Sequence, residues 1–455
     1  MEYIKIPESK IPVFGQSEVI IVGGGLAGLS AAVASSRLGC NTILIENSGS
    51  LGGTVTKCLM PSFGRGNPPL IKGIFTDLFE GMKKADAIMD NEGRSNPLDP
   101  EIFKSLCFDI VKEAGVELLL HTTVTGAVKI QNKLGGVIIH NKSGFQAVMA
   151  KVIVDASGDA DVAYLAGESF AKDGELQPMS LMFTVGNADA HRFAEWVQNY
   201  PDKNEFWPMG SQNLSNIDLH RDQPRVNVGG FMGMIKKASE RGELYLPHDN
   251  MALIFLPMEG TVLVNATHIR HLDPLNGKDV TEAEIEGRKQ MLSVYYFLKK
   301  NVPGFEDCFL MSSASHVGVR ESRRVIGEYV LRMEDLQSSR SFYDAVVLHN
   351  GRASIHGPGE KQTFISFARP YQVPYRSLQA KVNDNLLVAG RCISADHMAH
   401  SAIRGTVCCV ATGQAAGTAA ALSVKQGVKP RDLDPELLRN SLINQGVILS
   451  EPVAK

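Results

Sequence analysis

The chain has 455 residues, 44% of them hydrophobic and 21% charged, the balance of a folded globular protein and not of a disordered, collagenous or polytopic membrane chain. Its 46 Lys and Arg against 49 Asp and Glu leave a formal charge of -3 with no basic block, so no nucleic-acid footprint is expected and small-molecule chemistry is. At about 150 residues per domain the length allows two or three units. The opening MEYIKIPESKIPVFGQ lacks the basic flank and apolar run of a secretory signal, and the cysteines number seven, so a reducing, cytoplasmic setting is expected.

In chain order, Glu18 to Val22 reads as a short buried strand, Gly23-Gly24-Gly25 as a tight turn, and LAGLSAAVASSRLG as an Ala-rich helix stopped by Gly39. Thr42 to Ile45 is a second strand, and the helical crossover forces the two strands to be parallel and buried. Asp99 to Ala114 has helical periodicity, with Ile102, Phe103, Leu106, Ile110 and Val111 on one face. A third strand follows, and Val124 to Val154 alternates short strands with turn residues as an antiparallel meander would. Leu181 to Val185, Leu253 to Leu256 and Val262 to Ala266 predict strands of another sheet, and Thr281 to Lys300 a helix with Thr281 as its N-cap. Asn385 to Ala389 returns as a buried strand. The uncharged stretch Gly405 to Val424 has about the length of a membrane span, but its Ala, Gly, Thr, Ser and Cys content, with Gln414 inside, predicts a helix pressed against a sheet and no membrane contact.

Gly23-x-Gly25-x-x-Gly28 follows a predicted strand and opens a predicted helix, and Glu46 ends the second strand near the expected offset. The first glycine allows the turn, the second lets backbone approach a pyrophosphate, and the third allows close helix packing. The helix N-terminus meets the phosphate charge with free amides. A carboxylate at Glu46 suits a ribose diol and would repel a 2'-phosphate, so the ligand is FAD or NAD and not NADP. Gly52 and Gly53 add a second glycine pair, VIVDASG ends in Ala156, Ser157 and Gly158, and NLLVAGR ends in Gly390 and Arg391.

These motifs together resemble the glutathione-reductase-type FAD-binding fold and, more narrowly, the bacterial FAD-dependent oxidoreductase family. The likeness is strongest in Val19 to Thr56, in HVGVRESRRVIGEYV and in Val373 to Ala420. It implies an α/β fold: a discontinuous, three-layer Rossmann-like FAD domain with a β-meander over residues 1–170 and 371–455, and a substrate or cap domain with a mixed or antiparallel sheet over 171–370. It implies FAD contacts at Gly23, Gly25, Leu26, Ala27 and Gly28, at Glu46 and Asn47, and at Gly52, Gly53 and Thr54. Further contacts fall at Val124, at Ala156, Ser157 and Gly158, and at Gly390 and Arg391, the latter standing where many relatives have aspartate. Ser401 and Ile403 complete the set, with a helix beginning near Ser401 aimed at the flavin, where reduced flavin carries negative charge.

The disulfide-reductase branch keeps a cysteine pair after GGT, whereas here only Cys58 follows, so no redox disulfide closes. Cys408 and Cys409 read as packing or as a redox pair. For catalysis, His397 is a general acid or base, or a histidine that only hydrogen-bonds the flavin or caps the helix. Arg404 sits in the same loop. Arg320, with Arg323 and Arg324, would clamp a carboxylate-bearing substrate, or else start an ion-paired helix with Glu321 and Glu328. No metal is expected: Asp155 to Asp161 mimics a calcium loop but lacks its glycine and glutamate, and His397 and His400 lack a third ligand.

No second GxGxxG follows a strand, so the electron donor or acceptor is unknown and reaches the flavin another way. The expected activity is hydride transfer between flavin N5 and a small organic substrate, as a dehydrogenase or reductase. The alternatives are a flavin monooxygenase or halogenase and, in another class, a non-catalytic binding protein on the same fold.

Overall fold

In the computed structural model, described over residues 10–66, 69–91, 95–172, 176–209, 214–220, 224, 226–356 and 362–451, two apolar cores are built on two sheets. The first sheet runs in the order Glu117–Leu119, Thr42–Ile45, Val13–Val22, Gly144–Asp155, Lys133–Asn141, Thr123–Ile130. Its first four strands are mutually parallel, and its last two continue antiparallel as the predicted meander. The strand Gly144–Asp155 is long enough to serve both halves: its early residues pair with Lys133–Asn141, and Ile153 to Asp155 pair in parallel with Leu386–Val388. In this way the last quarter of the chain is stitched to the first.

The helix Leu26–Arg37 has no polar face, because every residue from Leu26 to Ser35 is buried between the sheet and the terminal helix Thr406–Gln426. A helix apolar all round is a core helix. The terminal helix is the one among the described residues long and apolar enough to cross a membrane, and 89% of its most apolar window is buried inside the protein. Its Gln414 shows why: Oε1 accepts from Ile74 N–H at 3.0 Å and Nε2 donates to Gln445 at 3.0 Å, partners that a lipid face would not provide.

The second sheet is antiparallel, ordered Phe206–Pro208, Val228–Gly230, Met251–Phe255, Val262–Asn265, Phe183–Gly186, Phe309–Ser313. Its core extends from Leu59 and Met179 to Val317, covered by the helix Gly277–Asn301. Buried residues from Val325 onward pack into the first core, and the buried residues of the second end at Val317. The short strands Ala345–His349 and Ala353–His356 lie within that stretch.

Two helix starts also differ from expectation. Asn276, not Thr281, caps Gly277–Asn301, its side chain accepting from Lys278 and Asp279 N–H. The segment after Asp396 splits into a short helix, His397–Ile403, and the terminal helix, which begins at Thr406 after Gly405 and not near Ser401.

The two core helices approach so closely that only glycine fits between them. A Cβ on Gly413 would lie 2.0 Å from Ala27 O, and one on Gly417 2.0 Å from Ala31 O, both backbone atoms that cannot move alone. Gly417→Val is therefore expected to lower stability by about 1–3 kcal/mol or prevent folding, measured by urea unfolding. Unchanged stability would contradict this packing.

Candidate active site at the junction of the two sheets

The glycine turn follows the strand Val13–Val22. Gly23 has φ +99°, and a Cβ there would meet Ala156 O at 2.5 Å, while one on Gly28 would meet Gly23 O at 1.7 Å. Both glycines are packing necessities. Gly25 differs, since its nearest neighbour would be Gly53 Cα at 3.9 Å, leaving open space above the first helical turn. Gly52 N–H donates to Gly24 O at 2.9 Å and holds the second glycine turn against the first. Gly25 is the N-cap of Leu26–Arg37 with no side chain bonded over it and no acidic residue in the first turn. The amides of Leu26, Ala27 and Gly28 thus lie in an uncapped first turn beside a glycine cradle, an arrangement that fits a pyrophosphate.

Glu46 is 3% exposed. Its Oε2 accepts from Gly24 N–H at 2.7 Å, and its Oε1 accepts from Ser48 N–H and hydroxyl and from Lys57 Nζ at 2.8 Å. Burial pushes its pKa up, but Lys57 and these bonds outweigh burial and hold it below the usual carboxylate range. Lys57 was missed from sequence. It offsets the charge that was expected to repel a 2'-phosphate. Thr122 N–H donates to Glu46 O, which brings the half-buried Val124 to this end, while Asn47 and Thr54 are exposed at its rim.

The next turn is organised by Asp155, whose Oδ1 accepts from Ser157 N–H and hydroxyl and whose Oδ2 accepts from Ala163 N–H. Burial raises its pKa against those bonds. Ala156 N–H donates to Val22 O at 2.8 Å, and Gly158, with φ +85°, leaves room for the Arg391 guanidinium. Arg391 is held by Asp159 at 2.8 Å and by the Ser322 hydroxyl at 2.8 Å, so its charge is matched by protein. Gly390 is the meeting point: a Cβ there would lie 2.8 Å from Ala27 Cβ and 3.8 Å from Cys409 Sγ, and its N–H donates to Thr412 Oγ1 at 3.1 Å. The first glycine turn and the start of the terminal helix therefore converge.

In the short helix His397–Ile403, Ser401 donates to Met398 O and Ile403 is fully buried, so the free N-terminus near Gly390 belongs to Thr406 and its neighbours instead. His400 is fully buried with Nε2 2.9 Å from Arg391 O, and burial lowers its pKa to about 3. His397, one turn earlier on the same face, is 30% exposed in its side chain, and its Nδ1 lies 2.9 Å from Oε1 of Glu321, which is 0% exposed. Burial favours the neutral form of Glu321, but the His397 bond and the Arg324 guanidinium lower its pKa, keeping it ionised.

The three arginines of the HVGVRESRRVIGEYV segment separate, and the segment is not a helix start. Arg324 pairs with Glu321 at 3.2 Å within a two-residue strand, Arg323 pairs with Asp161 at 3.0 Å, and Glu328 pairs with Arg431. Arg320 alone reaches toward the second sheet, where Nη1 donates to Pro178 O at 2.5 Å. Arg404 comes to the same place from the end of the short helix, donating to Gln177 Oε1 at 3.1 Å and Ser354 O at 3.0 Å. Gln177, His248, His268 and His356 around them had no local sequence signal, being spread over 180 positions. Cys58 and Cys409 are half-buried, with desolvation raising their pKa values to about 11 and about 12, and both, like the buried Cys408, are free thiols. No cluster of metal-ligating side chains occurs among the described residues.

This geometry is that of a dinucleotide-binding fold, and the chain belongs to the FAD dependent oxidoreductase family, whose profile matches residues 18–442. It is an enzyme, and its cofactor is FAD. Thiamine thiazole synthase of Methanococcus vannielii is 27% identical over 164 residues, 32% of this chain and 58% of that protein. Dihydrolipoyl dehydrogenase of Trypanosoma brucei brucei is 44% identical over 43 residues, 10% of this chain and 9% of that one. The chain thus spans less than two thirds of either relative. Among solved structures, a geranylgeranyl bacteriochlorophyll reductase-like protein of Thermoplasma acidophilum has a TM-score of 0.49 at 13% identity, covering 95% of this chain and 84% of that one.

Gly25→Glu is expected to fold, since its Cβ has space, yet to lose FAD because a carboxylate enters the phosphate position. The visible absorbance of purified protein checks this, and normal flavin content would contradict the placement. Stability should also depend on pH. His248, His349 and His400, with pKa values lowered by burial to about 4, 4 and 3, stay neutral when folded, whereas each protonates below about 6.5 when unfolded. Their contribution is therefore intact above about pH 6.5 and is lost as pH falls toward 4, with a slope near pH 5 of about 4 kcal/mol per pH unit for three protons. Urea unfolding at pH 7, 6 and 5 with excess FAD measures it; a flat profile would show these histidines protonating in the fold.

Proposed function

We propose that this enzyme moves a hydride between FAD and a small organic substrate, with His397 handling the accompanying proton and Glu321 holding the imidazole. The observation that carries the reading is the 2.9 Å bond between His397 Nδ1 and Glu321 Oε1, one helical turn from the contact of His400 with Arg391 O, which adjoins Gly390. Bound FAD supplies the two-electron partner. Glu321, ionised and buried, accepts a hydrogen bond from Nδ1–H and so favours the tautomer in which Nε2 of the half-buried ring carries the lone pair. In oxidation of a CH-OH or CH-NH unit, Nε2 takes the proton from oxygen or nitrogen as the hydride leaves carbon; in reduction it returns one. Glu321 balances the charge that the ring gains. The uncapped start of the terminal helix beside Gly390 and Cys409 supplies amide donors where negative charge on a reduced isoalloxazine would be stabilised.

His397→Gln is expected to retain FAD and to slow anaerobic bleaching of the flavin by substrate by about 10²–10⁴-fold. Glu321→Gln should give a smaller loss in the same step. A panel of alcohols, amines, hydroxy acids and sugars supplies the substrate. Unchanged bleaching in His397→Gln would leave the pair with a structural role only, and oxygen transfer or halogenation by the reduced enzyme would replace the reading with a monooxygenase or halogenase.

A further inference from the structure

Arg320 and Arg404 start in different parts of the chain and end on adjacent residues, one bonded to Pro178 O and the other to Gln177 Oε1. Among the described residues neither guanidinium lies within 4 Å of a carboxylate, unlike Arg323, Arg324, Arg376, Arg391 and Arg431. The nearest carboxylate to bear on Arg404 is Glu321, already bonded to His397 and Arg324. Burial and the proximity of Arg404 and Arg270 pull Arg320 down to about 9, and burial pulls Arg404 to about 10. Two cations placed side by side without a counter-charge repel one another, and a fold keeps such a pair when something else supplies the charge.

The neighbouring polar atoms point the same way. Gln177 is 3% exposed; its Oε1 is fixed as the acceptor from Arg404, and its Nε2 is a buried donor with no acceptor. Arg404 Nε is a second buried donor without an acceptor, and His268 Nδ1, on a residue 4% exposed, is a third unpartnered polar atom. The His268 ring lies 3.7 Å from that of His248 and 5.0 Å from that of His356, packing imidazoles from both sheets' surroundings beside the arginines. His248 Nδ1 lies 3.8 Å from Asp249, beyond hydrogen-bonding distance. Buried donors left unmade destabilise the fold, and several polar atoms without partners around two guanidiniums call for an acceptor that is not part of the chain. The cleft of about 550 Å³ beside Tyr375 differs, its arginines being paired with Asp344 and Glu328.

We propose that Arg320 and Arg404, joined on the Gln177–Pro178 dipeptide and flanked by Gln177 Nε2 and His268, bind an oxyanion of the substrate, which is therefore a small organic acid or phosphate ester. This rests on the oxidoreductase reading above, deepening it by naming the substrate class. The anion group docks between the sheets, and the carbon to be oxidised or reduced extends toward His397, which shares the short helix with Arg404.

The test is calorimetric titration of the FAD-loaded enzyme with succinate, acetate or inorganic phosphate in a low-chloride buffer, with the visible flavin spectrum recorded alongside. At least one anion is expected to bind and to perturb the spectrum, with affinity falling about tenfold or more in Arg404→Gln and in Arg320→Gln, as loss of a charge-assisted contact requires. Arg369→Gln, paired with Glu451 on the surface, is expected to bind as wild type does. Preference for the carboxylates identifies an organic acid, and preference for phosphate a phosphate ester. Flavin content and melting temperature establish that each variant is folded, and Arg404→Lys, which keeps the charge, is expected to recover part of the affinity. Absence of binding by all three anions, or equal affinity in folded Arg404→Gln and Arg320→Gln, would overturn the proposal. Anion binding to an enzyme whose flavin no substrate bleaches would sink the hydride-transfer reading alone; unaltered turnover of a neutral substrate in Arg404→Gln would sink the anion site alone.

Discussion

The close approach of two helix backbones at Gly413 and Gly417 is the constraint on which the rest of the structure depends. Ala27 lies in the first turn after the glycine loop, so pressing the terminal helix onto its carbonyl fixes the entry of the first helix and of the chain's last long helix in one step. Gly390 then fits between Ala27 and Cys409 because nothing larger can. A cofactor that spans two turns more than 350 positions apart in sequence needs those turns placed to a fraction of an ångström, and small residues on both helices provide that without any polar bond.

A second layer of order is electrostatic. The carboxylates near the junction have assigned tasks inside the protein: the buried Asp155 shapes a turn, the half-buried Asp159 holds Arg391, and the buried Glu321 holds Arg324 and His397. Leaving a buried charge without partners would cost several kcal/mol, which is why these groups come in sets. Against that background the pair Arg320 and Arg404 stands out by having only carbonyl and amide oxygens for company.

The sequence was informative where local rules decide. The glycine turn, Glu46, the meander and the small-residue helix obey the periodicities of 2 and 3.6 and the φ demands of Gly23 and Gly158, so they were legible without a structure. Lys57 could have been found as the cation nearest to a predicted buried carboxylate. Contacts made by tertiary packing were not legible. Nothing in HVGVRESRRVIGEYV says that its three arginines part company, because a run of like charges relieves repulsion by facing different partners, and those partners, Asp161, Glu321 and Pro178 O, come from distant segments or the run itself. The start of the terminal helix was misplaced because His397–Ile403 is also helical, and the break at Gly405 is one residue in an otherwise continuous helical pattern.

That break has a structural consequence of its own. A single continuous helix from His397 would direct its free amides at Asp396, which already caps them through Ala399 N–H. Splitting it at Gly405 frees a second N-terminus beside Gly390, while Arg404, the last residue before the split, turns toward Gln177 and Ser354. One glycine thus separates the group aimed at the cofactor from the group aimed across at the second sheet. The same short helix starts at His397 and ends against Arg404, so the residue proposed to handle the proton is held at a fixed offset from that guanidinium by a single rigid element.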